Sequence, residues 1–279
     1  MNSVRLAANT ALTMVAFASN SLLCRMALKE TSIDAASFTS VRLLSGAAML
    51  WLLMRWQNQA PLKYGSWRSA FALFIYAVAL SFAYRTINTG AGALMLFGAV
   101  QVTMILAGFI LGERMSALQI TGFVAAMSGL VILVSPGVEA PSLSDSILML
   151  ASGIAWGTYS LFGRGLSNPA AATAGNFLRA TPLAVILLLF ALPWLHWDAR
   201  GVLYAMLSGG LASGLGYVMW YRVLQHMRAM TASTIQLSAP ILAALGGIVM
   251  LGEALTHVLL LASVLILGGI WLVLQYGKK

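Results

Sequence analysis

Long segments without any charged side chain are the feature that most constrains this chain. Eight such segments approach or exceed the length that a helix needs to cross a lipid bilayer, roughly 17–25 residues. Two shorter apolar segments complete the series: one contains Arg42 near one end, and the other is flanked by the interface aromatics Trp67 and Tyr84. The ten predicted spans are 6–24, 37–54, 69–84, 86–112, 115–138, 146–163, 180–197, 201–221, 229–252 and 254–277. Because only short loops remain, the sequence predicts an all-α integral membrane protein with ten transmembrane helices.

The composition excludes most classes of soluble protein. Of the 279 residues, 60% are apolar and 8% are charged, whereas a soluble domain has about 25% charged residues. Sixteen Lys and Arg with seven Asp and Glu cannot cover a globule of this size, which excludes a soluble enzyme, a disordered tail and a secreted disulfide scaffold. The single cysteine, Cys24, permits no internal disulfide. The net charge of +9 does not indicate a nucleic-acid partner, because the basic residues are scattered singly between apolar segments.

The distribution of Lys and Arg predicts how the chain is oriented in the membrane. If the N-terminus is cytoplasmic, ten basic residues fall on the cytoplasmic side of the predicted spans. Five fall on the outer side, and these are Arg25, Lys29, Arg42, Arg85 and Arg200. Because cytoplasmic loops are enriched in Lys and Arg, we expect both termini to be cytoplasmic.

The second half of the sequence repeats features of the first half about 140 residues later. Leu111-Gly112-Glu113, at the end of the fourth predicted helix, recurs as Leu251-Gly252-Glu253 at the end of the ninth. Further pairs keep the same order: Tyr84-Arg85 with Tyr221-Arg222, Arg42 with Arg179, Arg25 with Arg164, and Gly129 with Gly269. Each repeat, residues 1–140 and 141–279, contains five predicted helices, so the second must enter the membrane inverted. Inverted repeats are typical of alternating-access transporters, whose site lies near the midplane between the repeats.

These features resemble one known group of transporters. Ten helices in two five-helix repeats, each with Leu-Gly-Glu at the end of its fourth helix, are similar to the drug/metabolite transporter superfamily and its EamA-type permeases. Ala232-Ser233 and Ala239-Pro240 also fit the pattern of that family, while the first repeat has Val100 where Pro240 stands. Among the subfamilies, the chain is most similar to the bacterial exporters of aromatic amino acids, which also expel methyl viologen. The resemblance implies a multi-pass transporter of the bacterial inner membrane with a small-molecule substrate. Because one chain holds both repeats, we expect a monomer.

No pattern of catalytic residues stands out in the sequence. It has no Gly-x-Ser-Gly, no His-Glu-x-x-His and no Cys-x-x-Cys, which are patterns of intramembrane proteases and metal sites. The three histidines, His196, His226 and His257, fall near the ends of predicted helices. We therefore expect no enzymatic activity, no metal and no cofactor.

A substrate cavity combines an apolar body with a few polar groups, and aromatic and amide residues of the predicted helices fit that description. Trp156 and Tyr159 are three residues apart and share a helix face. Pro240 cannot donate to the carbonyl oxygen of Gln236, so we expect a kink there. The alternative for each aromatic residue is packing between helices or against lipid. The candidate substrate-binding residues are Phe17, Asn20, Tyr84, Phe97, Gln101, Trp156, Tyr159, Tyr217, Trp220 and Gln236.

The charged residues bear on the mechanism. Arg179 lies about two turns from the cytoplasmic end of its helix, where either a structural partner or the substrate can hold it. Glu113 and Glu253 end their helices, which allows either hydrogen bonds that hold a helix end or a gating role.

No Asp or Glu lies within a predicted span, although these are the usual proton-relay groups of coupled pumps. The sequence therefore predicts a facilitator that exports aromatic or other apolar amino acids by alternating access. The alternative is export of cationic or drug-like metabolites such as methyl viologen.

Overall fold

A computed structural model describes residues 3–110, 116–134, 141–163, 166–224, 236 and 238–276. Ten helices make up the regular structure of these residues, apart from single 3-10 turns at Pro61–Lys63 and Leu192–Trp194. They are α1 (Ser3–Glu30), α2 (Ala35–Trp56), α3 (Trp67–Ala83), α4 (Thr89–Ile110), α5 (Ala117–Val134), α6 (Leu143–Phe162), α7 (Pro169–Ala191), α8 (199–224), α9 (Ser238–Leu251) and α10 (His257–Gln275). Helix α8 has three consecutive segments: Ala199–Met206 and Gly216–Leu224 are α-helical, and Leu207–Leu215 between them is π-helical.

The helices have the length and surface of membrane-spanning segments. By length and composition, α1, α2, α4, α7 and α8 can each cross a bilayer, and α3, α5, α9 and α10 are shorter apolar helices. Large apolar side chains also face outward: Phe190, Val249 and Ile110 are 78%, 81% and 83% exposed. A soluble monomer rarely exposes apolar surface on this scale, so the fold is that of a multi-pass membrane protein.

Helix boundaries differ from the predicted spans where an arginine lies inside a helix. Arg25 lies within α1 and Arg42 within α2. Helix α7 begins eleven residues before the predicted start at 180, because Asn168 accepts a hydrogen bond from the N–H of Ala171 at 3.1 Å and a proline occupies the first helical position. The prediction was wrong here because a charge-free criterion ends a span at Arg179, although the backbone remains helical through that residue.

The same arginines correct the count of charges on the outer side. Arg25 and Arg42 are buried within helices, at 6% and 1% exposure, and do not belong to loops. Without them the predicted outer set keeps three basic residues, Lys29, Arg85 and Arg200. The orientation with cytoplasmic termini stays a prediction.

Glycine lets three pairs of helices pack backbone to backbone. A Cβ atom built on Gly122 of α5 would lie 2.5 Å from the carbonyl oxygen of Gly269 in α10. One built on Gly153 of α6 would come equally close to the backbone of α4, and one on Gly209 of α8 would overlap the carbonyl oxygen of Arg42 in α2. Small residues at helix interfaces are typical of membrane proteins, where close packing holds helices together.

Contacts between the helices relate the first five to the last five. If each of α1–α5 is exchanged with the helix five positions later, the contacts α3–α6, α4–α6 and α3–α7 become α8–α1, α9–α1 and α8–α2, and these contacts are also present. The contacts α2–α7, α4–α9 and α5–α10 are unchanged by the exchange. A twofold relation between α1–α5 and α6–α10 would produce this exchange of contacts.

Connections between the helices fall into two groups that meet at different ends of the molecule. The N–H of His196, between α7 and α8, donates to Asp34 between α1 and α2 at 2.9 Å. Thr86, between α3 and α4, donates to the first turn of α6 at 2.6 Å. The connections after α2 and α6 meet each other instead, since Asn168 donates to Gln59 at 2.9 Å. Helices that alternate in direction along the chain give this grouping.

Candidate functional site

Seven aromatic side chains pack together between the helices and form what we term the aromatic cluster: Phe17, Tyr76, Trp156, Tyr159, Phe177, Tyr217 and Trp220. Each member is at most 5% exposed. Trp156 lies at the centre, with its ring centroid 4.6 Å from Tyr217, 4.9 Å from Tyr76, 5.4 Å from Tyr159 and 6.2 Å from Phe17. The seven rings come from α1, α3, α6, α7 and α8, so the cluster joins helices of both halves of the chain.

A buried polar network lies beside the aromatic cluster and consists of Asn20, Arg42, Tyr76, Ser208, Ser213 and Tyr217. The hydroxyl oxygen of Tyr76 accepts hydrogen bonds from Asn20 Nδ2 at 2.9 Å and Arg42 Nη2 at 3.1 Å. It also accepts from the hydroxyl of Tyr217 at 3.4 Å. Asn20 Oδ1 accepts from the two serine hydroxyls at 2.6 and 3.3 Å. Because two tyrosines belong to both groups, the network brings polar groups to an otherwise apolar site.

The π-helical segment of α8 explains how two serines reach the same amide oxygen. Ser208 and Ser213 are five residues apart, and in an α-helix of 3.6 residues per turn they would point about 140° apart. The i→i+5 hydrogen bonds of a π-helix bring such residues to nearly the same face. Within Leu207–Leu215 both hydroxyls therefore point at Asn20. Short π-helical segments occur frequently at functional sites.

Arg42 is a buried cation for which no carboxylate partner exists among the residues described. It is 1% exposed, and its Nη2 donates to Tyr76 and, at 3.4 Å, to Ser213. Its guanidinium carbon lies 5.0 Å from the ring centroid of Tyr76, and its Nη1 has no hydrogen-bond partner within the described part of the chain. Ionisable residues within membrane helices are rare, and by default they mark a candidate functional group.

The space between the aromatic cluster and the polar network is small. A cavity of about 10 Å³ is lined by Phe17, Asn20, Ser21, Tyr76, Leu96, Phe97, Trp156 and Tyr217. That volume accommodates about one water molecule. An amino acid needs far more room, so the surrounding helices must separate before a substrate of that size can enter. Alternating access requires movement of this kind.

A larger cavity of about 740 Å³ between α4, α5 and α6 lacks the polar groups that would orient a substrate. Thr103 is the polar residue of its lining, and its hydroxyl donates to the carbonyl oxygen of Ala99 in the same helix at 2.7 Å. Two other lining residues, Ile110 and Val131, are 83% and 60% exposed on the outer surface. We therefore place the candidate site at the small central cavity.

The structure brings seven of the ten predicted site residues together. Five of them line the central cavity: Phe17, Asn20, Phe97, Trp156 and Tyr217. Tyr159 stacks on Trp156, and the ring of Trp220 lies 5.6 Å from that of Phe17. Spacing along one helix predicted the shared face of Trp156 and Tyr159. A role of each of the seven residues in substrate binding stays a prediction.

Tyr84 lies in a second buried cluster, where the ends of α1 and α9 meet the start of α4. Its carbonyl oxygen accepts a hydrogen bond from Arg25 Nη1 at 2.9 Å, and Arg25 Nε pairs with Glu253 at 3.3 Å. The other carboxylate oxygen of Glu253 accepts from the N–H of Thr89 at 2.7 Å. Glu253 thus holds the end of α9 by hydrogen bonds, which is the first of the two roles that its position in the sequence allowed.

Gln101 and Gln236 are buried away from the lining of the central cavity. They are 1% and 7% exposed, and neither Gln101 Nε2 nor Gln236 Oε1 has a hydrogen-bond partner within the described residues. Pro240 is the third residue of α9, Ser238–Leu251. The predicted kink between 236 and 240 includes residue 237, which lies outside the described residues.

Arg179 has structural partners. Its guanidinium donates to the carbonyl oxygens of Tyr64, Leu62 and Gly175 at 2.6, 2.9 and 3.0 Å. Arg179 thereby holds the connection between α2 and α3 against α7. Other predicted features lie outside the described residues, namely Leu111-Gly112-Glu113, Arg164, His226, Ala232-Ser233 and the side chain of Tyr221.

Sequence reasoning missed the residues that give the site its polar character. Tyr76 lies in the middle of an apolar segment, and Arg42 was counted as an outer-side residue although it lies inside α2. An ionisable residue within a membrane helix indicates a functional site by default, and that signal would have identified Arg42. Ser208 and Ser213 carried no such signal, because only a π-helix aligns residues five apart.

The described residues contain no group of three or more His, Cys, Asp or Glu placed to hold a metal ion.

The profile of the EamA-like transporter family matches the chain twice, at residues 6–135 and 144–275. These two matches cover most of the chain and divide it close to residue 140, where the sequence repeat divides it.

Several relatives match over most of their length. An uncharacterized protein of Pseudomonas aeruginosa is 52% identical over 266 residues, which are 95% of this chain and 93% of that protein. A probable amino-acid metabolite efflux pump of Salmonella typhimurium is 24% identical over 66% of each chain. A probable terminal-alkyne amino-acid exporter of Streptantibioticus cattleyicolor is 28% identical over 71% of this chain and 68% of its own.

A solved crystal structure supports the same fold. It superposes with a TM-score of 0.67 at 18% identity and covers 96% of this chain and 99% of the other. At that identity the likeness shows the fold alone. The double family match and the relatives named as exporters make the protein a membrane transporter and not an enzyme. The chain belongs to the EamA-like transporter family, whose members are the EamA-type permeases of the drug/metabolite transporter superfamily.

Proposed function

We propose that this transporter exports amino acids with aromatic or other apolar side chains across the bacterial inner membrane. The observation that carries the proposal is the central site, where the aromatic cluster around Trp156 adjoins a polar network. Flat rings suit an apolar side chain, because aromatic pairs gain ~0.5–1.5 kcal/mol beyond the burial of their area. Amide, hydroxyl and guanidinium groups suit the polar amino and carboxylate groups of an amino acid.

The position of the site supports transport by alternating access. Asn20, Arg42 and Tyr76 come from α1, α2 and α3, while Trp156 and Tyr217 come from α6 and α8. A substrate between them would contact both halves of the chain, and movement of one half against the other would open the site to each side in turn. We propose that the halves are inverted repeats, 1–140 and 141–279, with ten membrane spans, cytoplasmic termini and a monomeric assembly.

Transport without proton coupling is the mechanism that the site favours. No carboxylate belongs to the polar network, and the buried Glu253 is held by Arg25 and Thr89 in a separate cluster. Carboxylates are the usual proton carriers of coupled pumps. The gradient of the substrate itself then drives export.

Export of cationic compounds such as methyl viologen is the second candidate, because aromatic faces attract cations. The aromatic cluster supplies such faces. The charge of Arg42, which lies 5.0 Å from the ring of Tyr76, opposes this candidate, since it repels a second cation.

Counterflow in proteoliposomes tests the proposed function. Vesicles with the purified protein and unlabelled phenylalanine inside should take up labelled phenylalanine, tyrosine or leucine faster than protein-free vesicles. A pH gradient alone should not drive accumulation above the outside concentration. Uptake no faster than in empty vesicles for every amino acid of a panel would contradict the substrate class, and uphill accumulation driven by protons would contradict the facilitator mechanism.

A further inference from the structure

The polar network contains more hydrogen-bond donors than acceptors. Three donors converge on the hydroxyl oxygen of Tyr76: Asn20 Nδ2, Arg42 Nη2 and the hydroxyl of Tyr217. A phenolic oxygen has only two lone pairs for them. Arg42 Nη1 is a further donor, buried and without any partner among the described residues. The network therefore has an unused capacity to bind an anion.

The surroundings of Arg42 supply no negative charge. Its guanidinium contacts the hydroxyls of Tyr76 and Ser213 and forms no ion pair with a carboxylate of the described residues. The ion pair of Arg25 with Glu253 belongs to the other cluster. A buried cation normally has an anionic partner, and here that partner is absent from the described protein groups.

Arg42, with its unused hydrogen-bond donor, lies next to the central cavity. Tyr76 lines the central cavity with Asn20 and Trp156, and its hydroxyl is the direct hydrogen-bond partner of Arg42. Arg42 is thus one hydrogen bond away from the cavity. When the helices separate to admit a substrate, a carboxylate can replace the hydroxyl of Tyr76 as the acceptor of Arg42 and Asn20.

We propose that Arg42 binds the carboxylate of the substrate, with Asn20 as a second donor, while the aromatic cluster holds the apolar side chain. This assignment rests on the proposed export function and narrows its substrate class to apolar carboxylates. Guanidinium groups bind carboxylates through two parallel hydrogen bonds, and among the described residues Nη2 of Arg42 donates to hydroxyl groups only, while Nη1 has no partner. Permanently cationic compounds are excluded from the substrate class.

Ligand pairs that differ only in the carboxylate test this assignment. Thermal unfolding of the purified protein is followed with phenylalanine against phenylalaninamide, and with 3-phenylpropionate against 3-phenylpropionamide. The native protein should bind each acid more tightly than its amide. In R42Q the apparent affinity for the acids should fall by about 10- to 150-fold, which is the loss of a hydrogen bond to a charged group, while the affinity for the amide stays within a few fold.

R179Q is the matched control, because Arg179 is the counterpart of Arg42 in the sequence repeat and its guanidinium already donates to three carbonyl oxygens. It should unfold at a lower temperature but keep the native preference for acids. R42K keeps the positive charge and should retain a weakened preference for acids over amides. Its binding can be measured if R42Q does not fold.

The outcomes separate this inference from the proposed function. If phenylalanine undergoes counterflow but R42Q and the native protein prefer acids equally, the role of Arg42 is wrong and the export function stands. If no amino acid is transported but 3-phenylpropionate stabilises the protein in an Arg42-dependent way, the export of amino acids is wrong and the carboxylate site stands. Equal binding of acid and amide by the native protein overturns the assignment.

Discussion

Trp156 is the residue on which the aromatic cluster depends, since its ring contacts rings from three other helices and one from its own. Replacement by alanine would leave a cavity, and such changes cost about 3–5 kcal/mol of stability. W156F is the sharper variant because it keeps an aromatic ring. We expect W156F to remain folded and to weaken the apparent affinity for aromatic amino acids by about 2- to 10-fold, as one ring contact of ~0.5–1.5 kcal/mol is reduced.

The control for Trp156 is W271F in α10, where the indole is 48% exposed on the outer surface. Counterflow kinetics of phenylalanine for W271F should match those of the native protein. Native kinetics in W156F as well would show that Trp156 only packs the helices.

Asp34 gives the fold a dependence on pH at the start of α2. Burial alone would raise its pKa, but hydrogen bonds from the Ser37 hydroxyl and from the N–H groups of His196, Ser37 and Ala36 lower the pKa below its ordinary value. Because the pKa is lower in the folded protein, the stabilisation is fully present above the unfolded pKa of about 3.9 and is lost as the pH falls through the folded pKa.

D34N removes the charge and keeps an oxygen that caps α2, since asparagine is as good a cap as aspartate. It also replaces Oδ2, which accepts from the Ser37 hydroxyl and the His196 N–H, with an NH2 group that cannot accept. Thermal unfolding temperatures of the native protein and D34N should converge as the pH falls from 7 toward 3, with the native protein more stable at neutral pH. D34A should lose about 0.5–2 kcal/mol at neutral pH through the missing cap. Parallel curves for the native protein and D34N over the whole range would contradict the account.

At the scale of helices, the contact between α2 and the π-helical segment of α8 sets the geometry of the site. A methyl group on Gly209 would overlap the carbonyl oxygen of Arg42, whereas the nearest atom to one on Gly210 is 3.8 Å away. We expect G209A to destabilise the protein by about 1–3 kcal/mol through overpacking and G210A to be tolerated. Melting temperatures of the two purified variants make the comparison, and equal stability would exclude a tight α2–α8 contact at Gly209.

The length of apolar segments predicts the presence of helices well and the positions of their ends less well. Apolar length identified all ten helices, but α7 begins at Pro169 and not at 180, because the backbone continues through Arg179. For the site, spacing along single helices brought out Trp156 and Tyr159. The contacts of Arg42 and Tyr76 depend on how α2 and α3 face the other helices, and a single sequence does not contain that information.

Inverted repeats place the equivalent connections of the two halves of the chain on opposite sides of the membrane. The connection after α2 contains the exposed Lys63, and the one after α7 ends near the exposed Arg200. On a Cys24→Ser background, K63C should react with an impermeant thiol reagent only after spheroplasts are opened, and R200C should react in intact ones. Labelling of both from one side would contradict the inverted repeat.

Alternating access requires that one buried site opens in turn to both sides of the membrane and is filled by substrate. Ser21 lines the central cavity and is 1% exposed, and S21C on the Cys24→Ser background adds a thiol with little change in size. In sealed vesicles of known orientation, we predict that an impermeant thiol reagent labels this cysteine from either face, and that phenylalanine slows labelling from both. Labelling from one face only, or at a rate that phenylalanine does not change, would contradict the account.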